Sequence, residues 1–319
     1  MMEYINKRSY NISTVTAHKI EEGEFSQKAA EEVCELLSEI EKKMSFYLKD
    51  SEISKINQRA GSGSVEVSDE TLAVISKSIE YSIMTKGKFD ITLGPLISGW
   101  GVFSNHEKIL REDETASLLE LVQYRDIMIK DNYVGLKRKN QQIDLGGIAK
   151  GYASDEAVKI YKKYNIKSAM INIGGNVSVV GRKDNNQMWC VGIQNPQRNR
   201  NAYLGILQSA DTSVITSGNY VRYFKEGSKK YGHIIDSSSG FPVESDLASV
   251  TIVCCEGIKA DALSTAVFSM GYAKGAAMIK GLKDVNAVLV TNDMKVYISN
   301  ELKDYFYKTD EENYQYLYF

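Results

Sequence analysis

The chain has 319 residues, with 39 Lys and Arg against 41 Asp and Glu, a formal net charge of −2. Hydrophobic residues make up 43% and charged residues 25%, with only 3 Pro, a balance that excludes disordered and collagen-like chains. Near-neutral charge also excludes a globally basic nucleic-acid binder and a long acidic tail.

Read along the chain, the first helix covers about 25–44, where Val33, Leu37, Ile40 and Met44 recur at helical spacing. A second opens after Ser68, an N-cap followed by Asp69 and Glu70. Its stripe is Leu72, Ile75, Ile79 and Ile83, and Gly87 stops it. A hairpin near 125–136 turns at Asp131-Asn132. A short strand, QIDL, runs into GGIAKG and a helix through about 163. MINIGG, VSVVG, WCVGI, YLGILQ and SVIT then read as short strands. Another strand, 249–254, feeds a helix beginning near Ala260, and AVLVT, a turn at Asn292-Asp293 and KVYIS follow. Helices and strands mix without strict alternation. That predicts an α+β fold, with mixed sheets and packed helices, rather than a doubly wound sheet.

No apolar run approaches the ~18 residues that a membrane helix needs. The opening MMEYINKRSYNIS has no apolar stretch to serve as a signal peptide, so a cytoplasmic location is expected. Cys34, Cys190, Cys254 and Cys255 form no CxxC pair and no Cys/His cluster, which argues against zinc. Cys254 and Cys255 end the apolar run SVTIVCC and read as reduced packing residues. The closing segment holds Tyr305, Tyr307, Tyr314, Tyr316 and Tyr318. Packing on the body is the expectation there, in preference to base stacking.

Six segments carry chemistry-bearing residues. In DLGGIAKGYASD, glycines between a strand and a helix present backbone N–H groups to an anion, and Lys150 adds charge one turn in. A plain strand–helix turn is the other reading. In MINIGGNVSVVG, Gly174 and Gly175 interrupt a strand, as a structural bulge or beneath a ligand pressed against the main chain. TSGNYVRYF and YGHIIDSSSGFPV bring His233 ahead of Asp236 and a turn at Ser237 to Gly240. His233 there is either a structural residue or a base beside a phosphate.

In KADALSTAVFSMG, Asp261 and Thr265 stand at i, i+4, so both oxygens share one helical face and could bind a hard cation. Helix capping by Asp261 explains that residue as well. GKFDITLGPL places Asp90 after Phe89 and closes on a Gly-Pro turn, which turn chemistry also explains. In SFYLKDSEISKIN, Tyr47 lies just past the first helix, where it could stack on a planar ligand.

Taken in order, these blocks resemble the ApbE family, the FAD:protein FMN transferases or flavin transferases, over about residues 10–300. The resemblance implies a single large domain, followed by the Tyr-rich segment 301–319. It implies FAD as substrate and Mg²⁺ as cofactor. The FMN half of FAD passes to a Ser or Thr hydroxyl of a flavin-acceptor protein as a phosphoester, and AMP leaves.

Carried over by motif, Tyr47 stacks on the isoalloxazine, and Lys88, Phe89 and Asp90 line the adenosine or flavin pocket. Asp144 and Lys150 contact FAD from the glycine turn. The Gly147 carbonyl, the Asp261 carboxylate and the Thr265 hydroxyl hold the metal, with Ser264 nearby. His233 and Ile234 lie beside the phosphates, His233 as the base and Asp261 as its catalytic counterpart on the metal.

Two departures stand out. The family often has a Met-Gly-Thr run where this chain has Ile12-Ser13-Thr14. Its members are commonly exported and lipid-anchored, whereas a cytosolic flavoprotein is the acceptor expected here. Competing readings are a Mg²⁺-dependent FAD pyrophosphatase giving FMN and AMP, and an FAD carrier without turnover.

Overall fold

The structure, a computed structural model, describes every residue except 1, 13, 102–107, 184–185, 198–201, 221–222 and 228. Ser13 of the Ile12-Ser13-Thr14 stretch, and Val221 and Arg222 of TSGNYVRYF, therefore lie outside the described residues. Two compact units alternate along the chain. The first comprises Met1–Glu39, Lys150–Gly218 and Asp246–Phe319; the second comprises Ile40–Ala149 and Asn219–Ser245.

The first unit is built on a nine-stranded sheet. Numbered along the chain, its strands are β1 Tyr4–Asn11, β2 Thr14–Glu21, β6 Ala169–Ile173, β7 Asn176–Val180, β10 Ser213–Gly218, β13 Leu247–Cys254, β14 Asn286–Thr291, β15 Lys295–Ile298 and β17 Gln315–Tyr318. They lie in that order across the sheet, and β17 alone joins its neighbour in parallel. A smaller sheet, ordered β16-β9-β8, uses β8 Trp189–Gln194, β9 Tyr203–Ser209 and β16 Phe306–Lys308.

Valines at every second position of the large sheet give it an apolar face. Val177, Val179, Val214, Val253, Val288 and Val290 pack there with Trp189, Val191, Ile193, Leu204 and Leu207 of the small sheet. Helix α7, Gly257–Met270, packs on β10 and β13. Ile258, Ala262, Leu263, Ala266, Val267 and Phe268 are all buried in it, as befits a helix covered on every side. Helices α1 Ser26–Met44 and α6 Ala149–Lys163 each run across a unit boundary, and α8 Tyr272–Lys280 follows α7.

The second unit holds α2 Glu52–Gln58, α3 Asp69–Met84, α4 Gly94–Trp100 and α5 Glu112–Leu119. Strands β3 Ser64–Glu66, β4 Ile127–Lys130 and β5 Tyr133–Leu136 form one sheet, and β11 Tyr223–Glu226 with β12 Lys229–Gly232 a separate hairpin. Trp100 is fully buried among Leu96, Leu110 and Ile235, and its indole N–H donates to the Gly240 carbonyl at 2.8 Å. That bond ties the SSSG turn to a core tryptophan. Among the described residues, no helix is long and apolar enough to cross a membrane.

Several local expectations need correction. QIDL is no strand. Its backbone is satisfied by a side chain instead, because Asn57 accepts from Ile143 N at 2.8 Å and donates to Ile143 O at 3.0 Å. Gly174 and Gly175 are not a bulge. Both have positive φ, at 58° and 102°, and form the two-residue turn of the β6–β7 hairpin. The Gly-Pro pair does not close its segment but begins α4, where proline suits the first turn.

Helix α3 buries Thr71, Val74, Ile75, Ser78, Tyr81 and Ser82, while Ile83 is exposed. The apolar stripe misled because Ser78 and Ser82 satisfy their hydroxyls on Val74 O and Ser78 O, which makes serine cheap to bury. Helix α7 begins at Gly257, ahead of Ala260. Cys254 is buried but Cys255 is exposed, so only the first is a packing residue. In the closing segment Tyr314 is buried and the Tyr316 hydroxyl donates to Leu204 O at 2.6 Å, whereas Tyr305 and Tyr307 remain exposed.

Candidate active site

In the first unit the site residues converge where α6 and α7 begin. Glycine lets the two helices touch. A Cβ on Gly151 would sit 2.3 Å from Gly257 O, and one on Gly257 would sit 2.7 Å from Gly151 O. At that contact Asp261, only 3% exposed, accepts a hydrogen bond from Gly151 N at 2.9 Å through Oδ2. Lys150 Nζ stands 3.7 Å from the same oxygen. Asp261 therefore caps α6 rather than its own helix, with a helix N-terminus and an ammonium gathered round one carboxylate.

Below Asp261, the Ser264 and Thr265 hydroxyls donate to its backbone carbonyl at 2.8 and 3.4 Å. Ser217 Oγ of the TSGN run meets Ser264 Oγ at 2.8 Å and Thr265 Oγ1 at 3.3 Å. Ser217 is a neighbour that the motif reading did not name, although its block was in view.

Among the described residues, no three His, Cys, Asp or Glu side chains converge as a metal cage. The donor set is one carboxylate with neutral hydroxyl oxygens. It fits a hard cation of the Mg²⁺ kind, which takes one or two carboxylates and leaves other positions to water and substrate phosphate.

Two buried polar atoms mark a further part of this unit. Among the described residues, Thr16 Oγ1 and Asn176 Nδ2 have no hydrogen-bond partner. Both residues pair with Ile173, on opposite sides of it, so all three stand in one row on one face of the sheet. A buried donor without a partner is costly.

The second unit gathers a different set. Lys88 Nζ pairs with Asp236 Oδ1 at 2.8 Å and donates to Ser238 Oγ at 2.9 Å. Burial pushes the Asp236 carboxyl up, but Lys88 and the Ser238 N–H outweigh it and hold the group below its ordinary range. Ser237 Oγ donates to Gly87 O at 2.6 Å, which ties GKFD to HIIDSSSG. Phe89 and Ile234 are buried, and His233, next to Ile234 in sequence, is half-buried.

Asp90 is 7% exposed and its oxygens are taken up locally. Oδ1 accepts from Thr92 N at 2.8 Å and from Thr92 Oγ1 at 2.6 Å, and Oδ2 accepts from Tyr124 N at 3.3 Å. Burial pushes its pKa up, against those bonds. Its carboxylate thus caps a turn, as turn chemistry alone would have it. Asp144 and Gly147 lie in the turn that leads into α6, half-buried, with Asp144 N donating to Ile91 O at 2.8 Å.

Tyr47 is 55% exposed, edge-on to Phe46 at 5.3 Å, and its N–H donates to the Ser45 hydroxyl at 3.2 Å. An exposed aromatic ring offers a face on which a planar ligand can stack. Asn219 of TSGNY is a second residue that the motif reading missed. It donates to Val243 O at 3.3 Å, and a Cβ on Gly232 would meet its side chain at 2.0 Å.

Solved structures share this architecture. The ApbE protein of Thermotoga maritima matches with a TM-score of 0.89 at 28% identity, over 95% of this chain and 99% of that one. The flavin transferase ApbE of Vibrio cholerae matches with a TM-score of 0.85 at 27% identity, over 96% and 100%. Fold and donor set together define an α+β protein with the architecture of the flavin transferases. The chain belongs to the ApbE family, whose profile matches residues 9–289. Among curated relatives, the FAD:protein FMN transferase of Vibrio cholerae is 29% identical over 304 residues, 94% of this chain and 90% of that protein. That of Treponema pallidum is 30% identical over 291 residues, 86% of this chain and 80% of that protein.

Proposed function

We propose that this chain transfers the FMN moiety of FAD to a Ser or Thr hydroxyl of an acceptor protein. The observation that carries the reading is the family match over residues 9–289, which spans every block quoted above. The acceptor oxygen attacks the flavin-side phosphorus of the pyrophosphate. A P–O bond to FMN forms, the bond to the AMP phosphate breaks with its electron pair, and the hydroxyl proton passes to a base.

His233 is the proposed base, because an imidazole nitrogen can take up the hydroxyl proton. Lys150 offsets negative charge that grows on the leaving phosphate. Asp261 and Thr265 would hold Mg²⁺, with the Gly147 carbonyl as a further ligand and Ser264 behind them; when bound, it neutralises pyrophosphate charge. Gly151 and Lys150 hold the Asp261 carboxylate ready for that role. Tyr47 stacks on the flavin, Lys88, Phe89 and Asp90 line the adenosine or flavin pocket, Ile234 lies beside the phosphates, and Asp144 contacts FAD from the glycine turn.

The test is incubation with FAD, Mg²⁺ and a flavin-acceptor domain, followed by denaturation and mass measurement of the acceptor. FMN mass on the acceptor with equimolar AMP, lost with EDTA and in Asp261→Ala, is the expected result. Free FMN and AMP without adduct would make the protein a pyrophosphatase, and intact bound FAD a carrier.

A further inference from the structure

Helix α7 starts without a cap of its own. Glu256, at its cap position, makes no side-chain hydrogen bond to it, and its first turn contains no acidic residue. The free N–H groups of a helix start must find acceptors elsewhere. Asp155, on α6, supplies them. Its Oδ1 accepts from Gly257 N at 2.6 Å and its Oδ2 from Ile258 N at 2.9 Å. In the other direction, Gly151 N on α6 donates to Asp261 Oδ2 on α7 at 2.9 Å.

The two helices thus cap each other, and their sequences say how. Gly151-Tyr152-Ala153-Ser154-Asp155 and Gly257-Ile258-Lys259-Ala260-Asp261 share one spacing, Gly-x-x-x-Asp. Each glycine gives its N–H to the aspartate of the other helix. Each glycine also lies against the other's carbonyl, where a Cβ would sit at 2.3 or 2.7 Å. The arrangement is a reciprocal clasp with local two-fold character. One aspartate, Asp261, belongs to the candidate metal site. The carboxylate of its counterpart, Asp155, accepts from two backbone N–H groups.

We infer that Asp155 is a positioning residue that sets the pose of Asp261 for the cation. This rests on the transferase reading, in which Asp261 is a ligand. With Asp155 in place, the start of α7 is held at one distance from α6, and Asp261, one turn further on, meets Gly151 N and Lys150 at fixed geometry. Without both carboxylate oxygens, α7 keeps its packing on β10 and β13 but no longer has both bonds that fix its start. Asp155→Asn changes little volume, and an amide oxygen can serve only one of the two N–H groups while its NH₂ opposes the other.

The experiment uses Mn²⁺ in place of Mg²⁺, because both favour oxygen ligands and free Mn²⁺ is counted by electron paramagnetic resonance. Wild type, Asp155→Asn and the core variant Ile193→Val are titrated with Mn²⁺ in the presence of FAD, and their melting temperatures are measured alongside. The expected result is a Mn²⁺ dissociation constant at least tenfold weaker in Asp155→Asn, unchanged in Ile193→Val, with kcat recovering at saturating metal. Wild-type Mn²⁺ affinity in Asp155→Asn, together with a lower melting temperature, would reduce Asp155 to a structural cap and overturn the inference. Failure of wild type itself to bind Mn²⁺ would overturn the metal reading, and the inference with it. Should Asp155→Asn not fold, Asp155→Glu keeps the charge and moves it by one methylene, and it must still weaken Mn²⁺.

Discussion

Gly151→Ala asks whether the close approach of α6 and α7 holds Asp261 in place. The added Cβ would lie 2.3 Å from Gly257 O and 2.7 Å from Asp261 Cβ, well inside ordinary contact. One of those neighbours is backbone, so no rotamer change relieves the clash, and the helices must part by about 1 Å. Overpacking of this kind costs about 1–3 kcal/mol. The same shift breaks the Gly151–Asp261 bond, and a hydrogen bond to a charged group is worth about 1.5–3 kcal/mol. Alanine's better helix propensity returns about 1 kcal/mol.

The net loss is therefore about 1.5–5 kcal/mol. At roughly 2 °C per kcal/mol for a large domain, Tm falls by about 3–10 °C. Turnover falls on the order of a hundredfold, because a 1 Å misplacement at a reacting centre costs that much. Thermal melting and flavin transfer at saturating FAD and metal measure the two effects. A variant that melts with wild type and transfers flavin at the wild-type rate would refute the argument that this contact positions Asp261.

Three further predictions concern other parts of the molecule. His233→Ala should slow transfer by about 10²–10⁴-fold with little change in FAD affinity, read by single turnover and equilibrium titration; an equal loss in both would make His233 a binding residue. Tyr47→Ala should weaken FAD binding about 2- to 13-fold, the equivalent of losing about 0.5–1.5 kcal/mol of stacking, and unchanged affinity would remove Tyr47 from the site. His18 is buried against the Tyr161 hydroxyl at 2.7 Å, and burial, then Lys7, push its pKa down to about 4. The folded value lies below the free one, so its contribution to stability is complete above about pH 6.5 and is lost as pH falls through about 4, some 3 kcal/mol in all. Denaturant titrations at both ends of that range should show the loss in wild type and not in His18→Asn; the same slope in both would exonerate His18.

Local patterns read well where the signal is local. The first helix matches α1 at Ser26–Met44 because its apolar residues and its face coincide. The turn at Asp131-Asn132 joins β4 to β5 because Asp131 tolerates its φ of 52°. QIDL failed because its partner, Asn57, lies 86 residues away. The α3 stripe failed because buried serines bonded to their own helix cannot be told from exposed ones by hydropathy. Asp155 was overlooked although a signal existed, since GYASD and GIKAD repeat one spacing.

By itself the sequence determined the family and the chemistry that goes with it, because the ordered blocks survive in one dimension. It also determined which residue types stand ready, such as Asp261 and Thr265 one helical turn apart. Only the tertiary structure decided what those residues touch. Asp261 turned out to cap α6, 110 residues away, and Asp155 to cap α7, 102 residues away. The physical reason is that a helix start will take any acceptor brought within reach, and what comes within reach is set by which backbones pack closely enough, here through Gly151 and Gly257.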